Sequence, residues 1–577
     1  MTDFDVHIKG GTIVDGSRVP RYKGDVWIKD GKIAQLGGRA KGGADQVIDA
    51  DGLIVAPGSV DLHTHYDAQI RWDPWCSISG WHGVTSVVLG NCGFGFVPVR
   101  PEFRERSILT MVRTEAIPYE SIKQGMPWEW ETVPEYLDSL DRAPKGVNVI
   151  QYMPTASLMI YVMGLEAAKT RPATPQERKE MQRLLHEGMD AGLCGFSVQR
   201  LGVNSVQADF DGTPMVTDTM TDEDILCLAE VLAERDEGFI QITQATGDIR
   251  ADLAFLEKLA AVAQRPILHN AVAPSRKDPE VHRRPLRWIE KCWNQNLPIY
   301  AQCGIGRTGF AFTLEHWNLY DASPAWRALT TGTKEEKLAK MQDPELREAV
   351  VREAEEADRR LQVIQAGVGG APKHLVVQGV HNIDHLRKYE GRTVGDIAAE
   401  EGKNEIEVML DLSVAGDLQV EFLGPDRGSN ADFMAEMLNE SPYALPGISD
   451  GGAHTKFFTG GAWTTDMLRW LVRDEQKVTL EEAHYRMSTL AAHAAGFRDR
   501  GTLREGSAAD VVVYDMEELD IEPNWVGEVV HDLPGGEWRR IQRPKGYKSI
   551  LVNGEVTFEE GECTGATPGK LLRHGRG

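Results

Sequence analysis

The alternation of apolar and polar positions divides the chain into three stretches. Residues 3–55 alternate in short runs, DVHIKGG, TIVDG, GDVWIKDGKIAQLGG and QVIDADGLIVA, broken by DG and GG pairs. A period of two marks half-buried strands, and such pairs mark tight turns between them. The texture returns near the C-terminus in SAADVVVYDM and YKSILVNGEVTFEEGE. A two- or three-stranded piece is marginal alone. The pattern therefore predicts one small β-sandwich built from both termini, residues 1–56 and 495–577.

Between these ends the period changes. Short apolar runs follow one another: GSVDLHTH (58–65), VTSVVLGN (84–91), VNVIQYMP (147–154), LCGFSVQ (193–199), GFIQITQ (238–244), PILHNAV (266–272), LPIYAQ (297–302) and ALPGISD (444–450). Helical patterns separate several of them. Thr174 and Thr221 are placed to N-cap two of these helices, with Glu177 and Asp224 three residues on as capping-box partners, and a Gly follows each helix. Eight near-continuous apolar strands linked by helices predict an α/β fold, a parallel (β/α)8 TIM barrel over residues 57–494. The link from the seventh strand to the eighth is about 140 residues long, predicting an insertion over about 303–443, the place where lids sit on barrels. Its charged stretch Thr333–Gln362 reads as a solvated helix pair.

Charge narrows the partners. Lys plus Arg number 63 and Asp plus Glu 87, a net charge of −24. So acidic a surface repels nucleic acid and anionic membrane. The seven cysteines are odd in number and unpaired in spacing, which argues for a reducing compartment. The acidic start MTDFDVHIK has no signal-peptide pattern, and no apolar run reaches the roughly 20 residues that span a bilayer. A cytoplasmic location follows as the expectation, with a small-molecule substrate and a homo-oligomeric assembly.

The candidate chemistry gathers at strand ends. His63 and His65 close the first strand, and alternate residues of a strand share a face, so the pair forms a metal half-site at the barrel mouth. Cys92 stands just past the second strand among Gly90, Gly93 and Gly95, where a thiolate suits zinc. Asp450 ends the eighth strand, placed to bind a metal and to accept a proton from water. His269 on strand six is the remaining barrel ligand candidate, and His454 is a candidate for metal or substrate contact. Arg200 and Arg307 follow strands four and seven, where either can pair with a substrate carboxylate. His82 precedes strand two, at the opposite rim, and reads as structural.

These features together resemble the amidohydrolase superfamily. The segments APGSVDLHTHYDAQ, TSVVLGNCGFGFVPVRP, DAGLCGFS, ISDGGAH, DRGTLREGSAADVVVYD and LVNGEVTFEEGECTGATPGKLLR look like the N-acyl-D-amino-acid deacylase (D-aminoacylase) family over nearly the whole chain. The resemblance implies a zinc-dependent amide hydrolase on a barrel with a small β-sandwich. It implies His63 and His65 as ligands, Cys92 as a ligand able to bridge two metals, and Asp450 as ligand and base. That family carries a His at the end of strand five and another on strand six. Here strand five ends in Thr243 and Gln244, and His269 lies about two residues early. One tightly held zinc is therefore expected, with a second possible. The reading is an N-acyl amino acid deacylase-like hydrolase. Its rivals are a cyclic amide, lactam or carbamate hydrolase and, from another class, a non-catalytic binding or assembly protein on the same scaffold.

Overall fold

The computed structural model describes residues 3–574, apart from 39–41, 204–206, 208, 276–277, 306, 308, 316–319, 321–323, 361–370, 381–382, 425–428, 457–459, 523–526 and the side chains of 355–360. Eight parallel strands surround one interior. The first is Ser59–Asp61 and the second Val84–Leu89; the third, Asn148–Gln151, resumes at Met153–Pro154. Gly195–Arg200, Phe239–Gln244, Ile267–Val272, Ile299–Cys303 and Ala444–Pro446 complete the series, each paired in parallel with its neighbour. A parallel bridge between Thr64 and Gly451 joins the first strand to the last and closes the barrel. The architecture is the (β/α)8 barrel with a small β domain that the alternation of apolar runs and helices predicts.

One buried cluster draws Val60, Leu62, Val88, Ile150, Tyr152, Cys194, Phe239, Leu268 and Leu445 from the strands, with Tyr300 against them. These side chains fill the barrel. Leu490, Ala491, Ala492, Ala494, Ala495 and Leu572 near the C-terminus pack on the same cluster. The opposite faces of the strands, Val87, Val149, Phe196, Ile240 and Ile299 among them, pack into the larger core shared with the helices. Thr174 and Thr221 both form the expected capping boxes with Glu177 and Asp224. Gly192 ends the first of these helices, whereas Asp236, in left-handed conformation, ends the second.

The terminal strands share a nine-stranded sheet. Ile54–Pro57 pairs antiparallel with Val511–Tyr514, joining the N-terminal strands to the C-terminal ones. A bridge from Lys32 to Ala508 curls the sheet over a core of Ile8, Val26, Ile28, Val511 and Leu551. Between barrel strands seven and eight, Phe310–Phe312, Val376–Gly379 and Glu421–Gly424 form an antiparallel sheet with its own apolar core. The charged stretch contains the helices Lys334–Lys340 and Pro344–Arg360, and its end at Gln362 lies outside the described residues. It is not solvated all round, because Met341 and Val350 are fully buried in the insertion core.

Arg486, 1% exposed, donates from Nη1 to the carbonyls of Ser441 and Ala444 at 2.7 and 2.8 Å, and from Nε to Glu482. It thereby holds the start of the eighth strand. Arg486→Met fills the space but removes the buried hydrogen bonds to the Ser441 and Ala444 carbonyls and the pair with Glu482, and is expected to destabilise the protein by about 2–4 kcal/mol, read as a lower urea midpoint.

Candidate metal centre

The regular part of strand one stops at Asp61, and Leu62–His63 is a bend. Val60 and Leu62 face the barrel interior, so strict alternation would turn His63 and His65 outward. The bend resets the chain, and both imidazoles reach the mouth. Thr64 fixes it there: its Oγ1 donates to the Val88 carbonyl at 2.6 Å, and its own carbonyl accepts from Asn91 at 2.9 Å. The His65 amide donates to the Gly451 carbonyl at 2.7 Å, setting the first strand end against the last.

Cys92 follows strand two in a tight turn with φ of 57°, a conformation costly for a side chain with a Cβ. Gly93, also at positive φ, could not carry a side chain, since a Cβ would lie 2.7 Å from Thr155 Oγ1. The Cys92 amide donates to Gln241 Oε1 at 2.7 Å. This places its Sγ 3.5 Å from His63 Nε2. Asp450, likewise at positive φ (49°), brings Oδ1 to 3.2 Å from His63 Nε2 and 3.6 Å from His65 Nε2. The donor atoms of His63, His65 and Cys92 all lie within 4.8 Å of one another, and all three residues are buried.

These side chains polarise one another. Burial works to discharge His63, but Cys92 and Asp450 push its pKa up to about 10. His65 is raised in the same way, against burial, by Glu115, Asp450 and Cys92. Burial opposes charge on Cys92 and Asp450 too, yet the imidazoles pull the thiol below its ordinary value and hold the carboxyl well below the carboxylate range. The group is thus arranged to surround positive charge. A thiolate, two imidazoles and a carboxylate are a donor set suited to zinc. Donors about 2.0–2.3 Å from a shared ion lie roughly 3.0–3.6 Å apart, close to the separations here. Gln302 Oε1, 3.4 Å from His63 Nδ1, orients that ring with Nε2 toward the cluster.

Three expected site residues lie elsewhere. Strand six turns Leu268 and Asn270 inward, so His269 faces the helical layer, with its ring edge-on to Trp288 at 6.3 Å. Burial lowers its pKa to about 4, and it is a neutral packing residue. Arg200 also points out of the barrel. Its Nη1 meets Asp222 at 2.7 Å, Nε donates to Gln244 at 3.0 Å, and the guanidinium lies 4.2 Å over the Phe255 ring. Arg307 is tied to Asp466, with Nη2 at 2.8 Å from Oδ1 and its amide at 2.7 Å from Oδ2. A cation already paired in this way is not offered to a substrate carboxylate. His82 is structural, bonded to Thr465 and the Gln542 carbonyl.

His454 does reach the edge of the cluster. Its Nε2 lies 3.7 Å from Oε2 of Glu115, which is also 3.5 Å from His65 Nε2. Glu115 had no signal in the sequence: it ends the helix Arg104–Glu115, far from any motif. Asp67, two residues past His65, was overlooked as well. It is fully buried, and burial raises its pKa to about 7 against the pull of His65 and of the Asp67 and Gly90 backbone amides. Strands five and six present amides at the mouth, with Gln241 Nε2 donating to Asn270 Oδ1 at 2.6 Å.

Known proteins are similar to this chain in sequence and fold. The D-aminoacylase of Alcaligenes xylosoxydans xylosoxydans is 25% identical over 578 residues, covering 99% of this chain and 97% of that protein. The N-acyl-D-aspartate deacylase of the same organism is 26% identical over 581 residues, with 99% and 95% covered. Among solved structures, the N-acyl-D-glutamate deacylase of Bordetella bronchiseptica, complexed with zinc and a phosphonate inhibitor, has a TM-score of 0.65 at 22% identity, over 99% of both chains. At that identity the likeness is one of fold. The sequence model of the amidohydrolase family matches residues 46–558, most of the chain, and the protein belongs to the amidohydrolase family.

Proposed function

We propose that this protein is a metal-dependent hydrolase of an amide C–N bond, acting on N-acyl amino acids, with one zinc ion held by His63, His65, Cys92 and Asp450. The observation that carries the reading is the buried group of His63, His65 and Cys92 at the barrel mouth, whose donor atoms lie within 4.8 Å of one another, with Asp450 Oδ1 at 3.2 and 3.6 Å from the two imidazoles. Gln241, Thr243 and Asn270 stand where a second ion would need imidazoles, and amides and hydroxyls are weak zinc ligands; this supports a single ion. When bound, the metal supplies Lewis acidity to the amide carbonyl and to water.

The chain's own groups supply the rest. The Asp450 side chain is 25% exposed while those of His63 and His65 are 2% and 1%, so Asp450 is the member that an entering water meets. Its Oδ1 faces the imidazoles, and Oδ2 is the atom that takes the proton as water adds to the carbonyl. The same proton then passes to the nitrogen as the C–N bond breaks, leaving a carboxylic acid and an amine, which become carboxylate and ammonium as the acid proton transfers. Among the described residues no helix is long and apolar enough to cross a membrane. A screen of N-acyl D- and L-amino acids, cyclic imides and lactams against zinc-loaded protein tests the substrate class. A protein that holds zinc and turns over none of these would favour the binding-protein reading.

Asp450→Asn keeps the shape and a weak oxygen ligand but removes the base. Turnover should fall by about 10²–10⁴, mainly in kcat, with most of the metal retained; near wild-type turnover would make Asp450 a turn residue. Metal capture displaces the proton that His63 holds up to about 10, so apparent zinc affinity should climb as pH rises through neutrality, by about tenfold per unit for one proton. Competition titrations between pH 6 and 9 would measure that slope. In chelator-stripped protein, iodoacetamide should modify Cys92 before Cys76 and Cys194, whose thiols burial pushes up. Added zinc should protect Cys92 selectively, which peptide mass spectrometry would show.

A further inference from the structure

Cys92 sits in a turn that its own sequence does not favour. Gly90, Cys92 and Gly93 take positive φ, at 77°, 57° and 80°. Glycine enters that region freely, but a cysteine there is strained. The turn persists because other segments hold it. Asn91, fully buried, donates from Nδ2 to the Thr64 and Val88 carbonyls at 2.9 and 3.2 Å. Gln241 Oε1, on strand five, accepts from the Cys92 amide at 2.7 Å. A Cβ on Gly90 would lie 2.5 Å from Gln151 Nε2, so strand three also presses on the turn.

The two ends of the turn go to one side chain. Ser197, on strand four, is fully buried. Phe196 and Val198 on either side of it pack into the outer core, so Ser197 faces the barrel interior. A hydroxyl both donates and accepts, and this one does each once. Ser197 Oγ accepts from the Gly93 amide at 2.9 Å and donates to the Gly90 carbonyl. Its own carbonyl accepts from Thr155 Oγ1 at 2.9 Å, which fixes the strand at that level. Ser197 is also the register partner of Gln241. Two laterally adjacent side chains thus grip the turn at Gly90, Cys92 and Gly93.

We propose that Ser197 is a positioning residue of the metal centre: by tying Gly90 to Gly93 it holds the strained turn in the conformation that sets Cys92 Sγ 3.5 Å from His63 Nε2. It adds no ligand, so the centre stays open to water and carbonyl. The inference rests on the metal-centre reading above. The test uses the full chain, with zinc affinity measured by chelator competition. In cobalt-loaded protein the near-ultraviolet thiolate-to-cobalt band reports the sulfur ligand directly, and Cys92→Ala serves as the reference without it. Ser197→Ala should bind zinc about 10–100-fold more weakly and show a weaker thiolate band. Val198→Ala, buried on the other face of the same strand, controls for general weakening. It should lower the urea midpoint while leaving affinity and band within about twofold of wild type. Unchanged affinity and band in Ser197→Ala, or equal losses in the two variants, would overturn the proposal. If Ser197→Ala does not fold, Ser197→Cys decides, since its longer bond and weaker S–H donor loosen both contacts while filling the site. Affinity and band should then fall, and a band that holds or grows would overturn the role of Ser197. Wild-type protein that retains no zinc would overturn the metal-centre reading itself. Retention in wild type, loss in Cys92→Ala and no change in Ser197→Ala would overturn only the positioning role.

Discussion

Closure of the barrel between its first and eighth strands is the constraint on which the site depends. Thr64 bridges Gly451, the His65 amide donates to the Gly451 carbonyl, and the Asp450 amide donates to the His63 carbonyl at 3.2 Å. These bonds join segments nearly 400 residues apart and place two imidazoles against one carboxylate. The seam also excludes bulk: a Cβ on Gly452 would lie 2.7 Å from the His65 carbonyl oxygen. An insertion with its own core can therefore interrupt the chain before strand eight without disturbing the mouth, because the seam rather than the connecting segment sets the register.

The cluster assembled there would be unstable as a set of separate charges. His63, His65 and Cys92 are almost fully buried, and burying an ion without a partner is expensive. Each is instead the partner of another, which is why their pKa values move in opposite directions, imidazoles up and thiol and carboxyl down. The backbone shares the cost: Cys92, Asp450 and His454 all adopt positive φ, at 57°, 49° and 52°. Strain concentrated at residues of one pocket is the pattern expected where position matters more than local comfort.

The neighbouring strands line the cluster with neutral side chains. Gln241, Asn270 and Gln302 point inward and are engaged with one another's surroundings: Gln241 with Cys92 and Asn270, Gln302 with His63 and the Leu62 carbonyl. They form a neutral hydrogen-bonded floor that supports the cysteine and one histidine. Such a floor stiffens the side chains of the cluster.

The sequence by itself determined the strand and helix order, the joining of the two termini in one β domain, and the local motifs that deliver His63, His65, Cys92 and Asp450. Each of these depends on periodicity or on glycine-permitted turns, which are properties of a few adjacent residues. Tertiary structure decided what faces what. A one-residue difference in strand parity turns a side chain to the other face, so His269 and Arg200 went to the helical layer, and the bend at Leu62–His63 brought the histidines back to the mouth. Arg307 found Asp466 and Glu115 reached His65 only because distant segments pack together. No local pattern records such encounters, since they arise from barrel closure and helix docking, which act across the whole chain.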